Sequence, residues 1–181
     1  MAETPARIPE GDSYIGRSIV RPQAARLLAG RGQFTDDLRL PRMLHAAFLR
    51  CPHAHARVVS VDARAALATP GVVRVIAGEE MAGICAGWVG TLAHFAGMKS
   101  ARQHPLARGR ATWQGEPVVA VVAESRALAE DGVARLAVEW APLPAVTEPE
   151  TALAPGTAVI HPVLGDNLAF SLELRSGDPQ G

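Results

Sequence analysis

Cys51, His53 and His55 stand within five residues, and Glu116 is the carboxylate of a Gly-Glu-Pro turn. His53 and His55 flank one alanine, so on a strand they would share a face and could share a metal ion. A metal site needs more donors, and no Asp, Glu or Cys cluster stands at a complementary spacing. Pro52 puts the pair in a turn, where the competing role is hydrogen bonding at a strand entry. Cys51 beside His53 suggests a thiolate and its base, but side chains so close in sequence rarely come within hydrogen-bond reach. Glu116 would serve as acid or base if buried in a pocket, whereas a place before Pro117 points to a structural role. Gly30-Arg31-Gly32 and Gly87-Trp88-Val89-Gly90 match neither the spaced glycines of a dinucleotide loop nor the lysine-bearing phosphate loop. Trp113 and Trp140 read as packing at strand ends. Residue chemistry alone exposes no active site.

The elements that would position these residues centre on Trp113–Asp131. Pro117 lacks an amide donor and fits only the first residue or the edge of a strand. Val118 to Ala123 is apolar on both alternating faces and rich in β-branched residues, as a strand covered on both sides requires. Ser125 can cap a following helix, whose inner face carries Ala129, Gly132 and Val133. Leu136 to Trp140 then alternates as a second strand, giving a strand-helix-strand unit at the core. Upstream, Met43 to Arg50 is apolar on both faces and predicts a buried strand, and Ala56 to Val61 predicts another. Asp62 would cap a short helix to about Leu67, Val72 to Ala77 forms a third strand, and Glu79-Glu80-Met81 makes one helical turn. Residues 83–109 have four early glycines, scattered Trp88, His94 and Phe95, and no clean period; a loop of this length reads either as a lid or interface or as a disordered segment. Beyond Pro144 the chain is proline-rich, and nothing caps its end.

With 181 residues the chain is roughly one domain, able to bury about 70% of its unfolded surface. Lys plus Arg equals Asp plus Glu, 18 against 18, which argues against nucleic acid or an anionic membrane as partner. The two cysteines, Cys51 and Cys85, lack metal-site spacing and are expected as free thiols in a reducing compartment. Met1 to Gly16 has no basic-then-apolar signal-peptide pattern, and no apolar run approaches a membrane span, so the expected location is cytoplasmic.

Several motifs occur together and in order. Arg26-Leu27-Leu28-Ala29-Gly30-Arg31-Gly32-Gln33-Phe34-Thr35-Asp36-Asp37 is followed by Leu40-Pro41-Arg42-Met43-Leu44-His45-Ala46-Ala47-Phe48, Pro52-His53-Ala54-His55-Ala56-Arg57-Val58, Pro70-Gly71-Val72 and Gly115-Glu116-Pro117-Val118. In order and spacing they resemble the N-terminal part of the large subunit of molybdenum hydroxylases: xanthine dehydrogenase, aldehyde oxidase and aerobic carbon monoxide dehydrogenase. The resemblance implies an α/β fold, the α/β hammerhead domain with a mixed sheet and packed helices, preceded by an extended N-terminal arm. On that basis residues 1–40 are the arm, 41–160 the hammerhead domain, and 161–181 a linker toward a missing molybdopterin-binding domain. Arg31, Gly32, Asp36, Asp37, His53, His55, Gly115, Glu116 and Pro117 are then structural motif residues.

The resemblance also implies a parent oxidoreductase that hydroxylates a carbon centre or oxidises carbon monoxide. Its molybdenum is held by molybdopterin cytosine dinucleotide, with [2Fe-2S] clusters on a small subunit and FAD on a medium one. The family's cofactor loops and catalytic glutamate have no counterpart in these residues, so no cofactor, metal or catalytic residue is expected of this chain alone. It would pack on the molybdopterin domains and the iron–sulfur subunit, with Trp88, His94 and Phe95 marking a substrate-path or interface loop. The competing expectations are a stand-alone interaction module and a small metal-dependent hydrolase using His53 and His55.

Overall fold

A computed structural model describes residues 18–92, 94–174 and 176–177. The readings of Met1 to Gly16 and of the last four residues lie outside them. The chain divides into two compact units, Met1–Arg42 and Met43–Gly181.

In the first unit, the stretch expected as an arm carries local structure of its own. Helix α1, Ala24–Leu28, ends where Gly30 turns left-handed at φ 67°, letting the Arg31 amide return to the Arg26 carbonyl at 3.0 Å. Arg26 Nε donates to the Arg31 carbonyl at 2.9 Å, and a Cβ on Gly32 would come within 2.9 Å of Leu27 Cδ2. A 3₁₀ turn follows over Thr35–Asp37, with the Asp37 carboxylate accepting the Phe34 amide at 2.9 Å and the Asp36 carbonyl accepting Arg39 Nη1 at 2.7 Å.

The second unit holds β1 (His45–Arg50), β2 (Ala56–Asp62), α2 (Arg64–Leu67), β3 (Val72–Ala77), α3 (Gly78–Met81), β4 (Arg110–Ala111), β5 (Pro117–Ala123), α4 (Arg126–Ala134) and β6 (Ala137–Pro142). The α/β class stands, while the mixed sheet is resolved into two three-stranded sheets, β1-β5-β3 and β4-β2-β6, with every pairing antiparallel. Central β5 is the buried strand its composition predicts, with Val118, Val119, Val121 and Ala123 almost wholly covered. Ser125 caps α4, accepting the Leu128 amide at 3.3 Å. Asp62 lies one residue before the cap position of α2, and its carboxylate takes the Arg64 amide at 3.0 Å.

One expectation is extended and one corrected. The expected strand-helix-strand unit is present as β5-α4-β6, with its strands in different sheets: β5 already has β1 and β3 on its two edges, so β6 pairs with β2. The strand expected as buried, β1, is not covered on both faces. Ala47, opposite Val121, is on the side α4 covers, and Gly132 of α4 lies so close that a Cβ there would be 2.7 Å from Val121 Cγ1. The other side of β1 has no helix, and Leu44 and Phe48 remain 46% and 45% exposed.

The core draws on both sheets. Cys51, Ala56, Ala107, Ala111, Val118 and Val119 form it, and Leu49, Val58, Val75, Leu136 and Trp140 pack around it. The described residues of 83–108 contain no helix or strand, yet Ala101, Leu106 and Ala107 within them are buried, and Trp88 and Gln103 form an antiparallel bridge with bonds of 2.8 and 2.7 Å. Among the described residues past Pro144 the regular elements are two 3₁₀ turns, Pro149–Thr151 and Pro162–Leu164. There the Asn167 amide group donates to the Ala152 and Ala158 carbonyls at 2.9 Å each and accepts the Ile160 amide at 3.0 Å. Lys99 joins this segment to the long loop through its amide to the Ala169 carbonyl at 2.8 Å and an ion pair with Asp166.

Candidate functional site

The Gly-Glu-Pro turn and the Cys51 to His55 bend meet at the end of β1. Gly115, at φ 92°, donates its amide to the Cys51 carbonyl at 2.8 Å, and the Cys51 amide returns to the Glu116 carbonyl at 2.9 Å. Arg50 Nη1 adds a bond to the Gly115 carbonyl at 2.9 Å, and the Pro117 carbonyl accepts the Ala107 amide at 2.7 Å. These residues clasp the first strand to the central one. The Glu116 carboxylate accepts the Thr112 amide at 2.6 Å and the Thr112 hydroxyl at 3.1 Å, which fixes the turn.

The histidine pair goes two ways, because residues 52–55 form a bend and β2 begins only at Ala56. His53 sets its ring edge toward Trp140 at 6.1 Å. His55 is buried, and its Nδ1 donates to the Pro144 carbonyl at 2.6 Å, which leaves a buried Nε2 without a partner. The metal-dependent hydrolase reading loses its geometric basis: among the described residues no three His, Cys, Asp or Glu side chains converge as ligands. Cys51 and Cys85 are the two cysteines of the chain, short of the four thiolates that a [2Fe-2S] centre takes. Cys51 is buried, its Sγ reaches the His53 carbonyl rather than the imidazole, and burial pushes the thiol pKa up against the lowering effect of that hydrogen bond, with the nearby Glu116 charge adding to the rise. It is a core thiol, not an activated nucleophile.

Of the loop aromatics, His94 and Phe95 are brought together, ring centres 4.3 Å apart, and Phe95 lies 4.8 Å from Phe170. Trp88 is 64% exposed and folds back over Gly90, where a Cβ would meet its ring at 2.7 Å. Trp113 is half exposed rather than packed at its strand end, whereas Trp140 packs on the core as expected.

Sequence reasoning passed over a polar cavity of about 370 Å³ lined by Arg102, His104, Arg108, Arg110, Glu116 and His161. Arg108 is paired with Glu79 at 3.4 Å. Burial lowers the His161 pKa; Glu116 opposes this, while His55 and Arg110 push it further down. The available signal was the basic run Arg102, His104, Arg108 and Arg110, hidden in a stretch with no secondary-structure period.

Residues 29–144 match the family model for the aldehyde oxidase and xanthine dehydrogenase a/b hammerhead domain. The chain is 37% identical over 166 residues to the nicotine 6-hydroxylase large subunit of Paenarthrobacter nicotinovorans, covering 92% of this chain and 20% of that protein. It is 37% identical over 155 residues to the carbon monoxide dehydrogenase large chain of Hydrogenophaga pseudoflava, covering 83% and 18%. Among solved structures, quinoline 2-oxidoreductase from Pseudomonas putida 86 superposes with a TM-score of 0.78 at 44% identity, over 85% of this chain and 19% of that one. The chain thus spans about a fifth of the length of the relatives it matches.

Proposed function

The chain belongs to the aldehyde oxidase and xanthine dehydrogenase family as its a/b hammerhead domain, and from that premise we propose that it serves a molybdenum hydroxylase as the non-catalytic opening portion of the large subunit. The observation that carries this reading is the family match together with relatives named as large subunits of nicotine hydroxylase and carbon monoxide dehydrogenase. Molybdenum on molybdopterin cytosine dinucleotide, bound by later domains, supplies the hydroxylation chemistry in the complete enzyme, with [2Fe-2S] clusters on a small subunit and FAD on a medium one. This chain's own residues supply a scaffold. The clasp between Cys51 and the Gly115-Glu116-Pro117 turn holds the first strand to the central one, and the uncovered side of β1, with exposed Leu44 and Phe48, offers apolar surface to the molybdopterin domains or the iron–sulfur subunit.

On this reading residues 1–40 are an arm, 41–160 the hammerhead domain and 161–181 the approach to the cofactor domains. The irregular loop bearing Trp88, His94 and Phe95 faces the substrate path. An unchanged substrate preference after exchanging residues 83–108 in a complete enzyme would refute that assignment. The enzyme is cytoplasmic on this account, and no helix among the described residues is long and apolar enough to cross a membrane. The same exposed side of β1 supports one other reading, a hammerhead module that binds a partner without redox activity. Reading the coding DNA beyond the Gly181 codon separates the two. The enzyme reading expects glycine-rich cofactor loops and a late catalytic glutamate, in frame or in an adjacent frame; a stop with no such neighbour selects the binding module.

A further inference from the structure

β2 and β4 bring two arginines directly opposite each other, Arg57 and Arg110. Opposed residues of an antiparallel pair project to the same side, with Cβ atoms roughly 5 Å apart, and like charges placed so are destabilising. The sheet leaves this repulsion uncompensated: neither guanidinium is given a carboxylate partner among the described residues, whereas Arg64, Arg74 and Arg108 each have one. Arg110 also lines the polar cavity described above, with Arg102, His104, Arg108 and His161 around it. The cavity's two carboxylates are already committed, Glu79 to Arg108 and Glu116 to Thr112. Arg102 is held in place by a 3.0 Å bond to the Gly87 carbonyl. The opposite side of the same pairing, Ala56 and Ala111, is fully buried, so the strands that present the two arginines are anchored in the core.

We propose that Arg110, which lines this cavity, and Arg57, opposite it across the strand pair, form a two-arginine clamp for one oxyanion of the carboxylate or phosphate class. A planar oxyanion between the two guanidinium groups receives paired N–H bonds, replaces the repulsion with two attractions, and brings one more negative charge to a cavity edge where cations outnumber carboxylates. A hydrogen bond from His104 or His161 completes its coordination from the cavity side. The oxyanion comes either from a free small anion or from an acidic side chain of an adjoining domain. The clamp rests on strand register and charge, not on the assignment to a molybdenum enzyme, so either can fail alone.

The test is thermal unfolding of the 181-residue chain in sodium phosphate, sodium acetate and sodium chloride at matched ionic strength, with the parent, Arg57→Met, Arg110→Met and Arg110→Lys. Binding to the native state raises the Tm of the parent by about 2–4 °C in saturating phosphate or acetate over chloride. That increment disappears in both Met variants and shrinks in Arg110→Lys, which keeps the charge but loses the fork. In chloride alone the Met variants melt at or above the parent, since the like-charge pair is gone. An acidic hexapeptide of aspartate and glutamate distinguishes the sources: a stronger effect than acetate at equal carboxylate concentration indicates a side-chain ligand, and an equal effect a free anion. Equal melting of the parent in all three salts, or an anion increment that survives in both Met variants, overturns the clamp.

Discussion

Gly78 should be the least replaceable glycine of the fold. It is the first residue of α3 and is buried, and an ideal Cβ there would lie 2.0 Å from the Ala107 carbonyl oxygen, 2.8 Å from its carbon and 3.2 Å from the Leu106 oxygen. The obstacle is backbone, and it is anchored, because the Ala107 amide donates to the Pro117 carbonyl at 2.7 Å and Leu106 and Ala107 are both buried. Gly78→Ala must therefore push the end of the long loop off the central strand or shift α3. Overpacking against side chains typically costs 1–3 kcal/mol, and an immovable carbonyl puts this case at about 3 kcal/mol or more. Alanine's better helix propensity returns at most about 1 kcal/mol, and less at the first position of a single turn. A net loss of about 3 kcal/mol corresponds to a Tm lower by about 6–12 °C in a chain of this size. Gly83→Ala is the control, since nothing lies within 4 Å of its Cβ position. Thermal denaturation followed by circular dichroism measures both. A Gly78→Ala chain melting with the control and the parent would refute the claim that the irregular segment is wedged against the sheet.

Ser125→Ala removes the α4 cap and should cost about 1 kcal/mol, read from chemical denaturation at an unchanged m-value; no change would mean that the Leu128 amide finds another acceptor. Thiol labelling of the native chain should modify half-buried Cys85 well before Cys51, and raising the pH through the usual thiol range should not close the gap, because burial holds the Cys51 thiol protonated. Equal rates would contradict that. The Asp62 carboxyl, hydrogen-bonded by the Arg64 side chain and amide, should titrate at about 2 in carboxyl-resolved NMR. Its folded-state pKa is below the unfolded value of about 3.9, so its contribution is present above that value and is lost as pH falls through about 2. Titration near 3.9 would show the contact to be absent in solution.

Much of the fold was legible because local chemistry and tertiary role agree along it. Val118 to Ala123 reads as a two-sided apolar strand and is one, and Ser125 reads as a cap and accepts the amide a cap should. What stayed hidden depends on partners distant in sequence. The apolar alternation of β1 says nothing about which side a helix will cover, and the pattern of β6 does not reveal that both edges of β5 are occupied. For the histidine pair the two competing roles part on geometry: a shared face presumes a strand, whereas the bend that Pro52 begins sends His53 to Trp140 and leaves His55 hydrogen-bonded to Pro144 at the strand entry. The polar cavity gathers Arg102, Arg110, Glu116 and His161 from four separate segments, and only strand register discloses that Arg57 faces Arg110. Of the motifs that carried the family resemblance, Gly115-Glu116-Pro117 proves to be hydrogen-bonded to Cys51, the residue just before the Pro52 to Val58 motif.

The central claim is that this chain serves a molybdenum enzyme whose cofactors other domains hold. Its most direct test is to tag the chain at its native locus, purify it under mild conditions, and measure molybdenum, iron and flavin together with the masses of the co-purifying polypeptides. The account predicts molybdenum and iron at a fixed ratio to the tagged chain, flavin, and polypeptide mass well beyond these 181 residues, in the same chain or in partners. Chain recovered with its binding partners but without molybdenum, iron or flavin would contradict it.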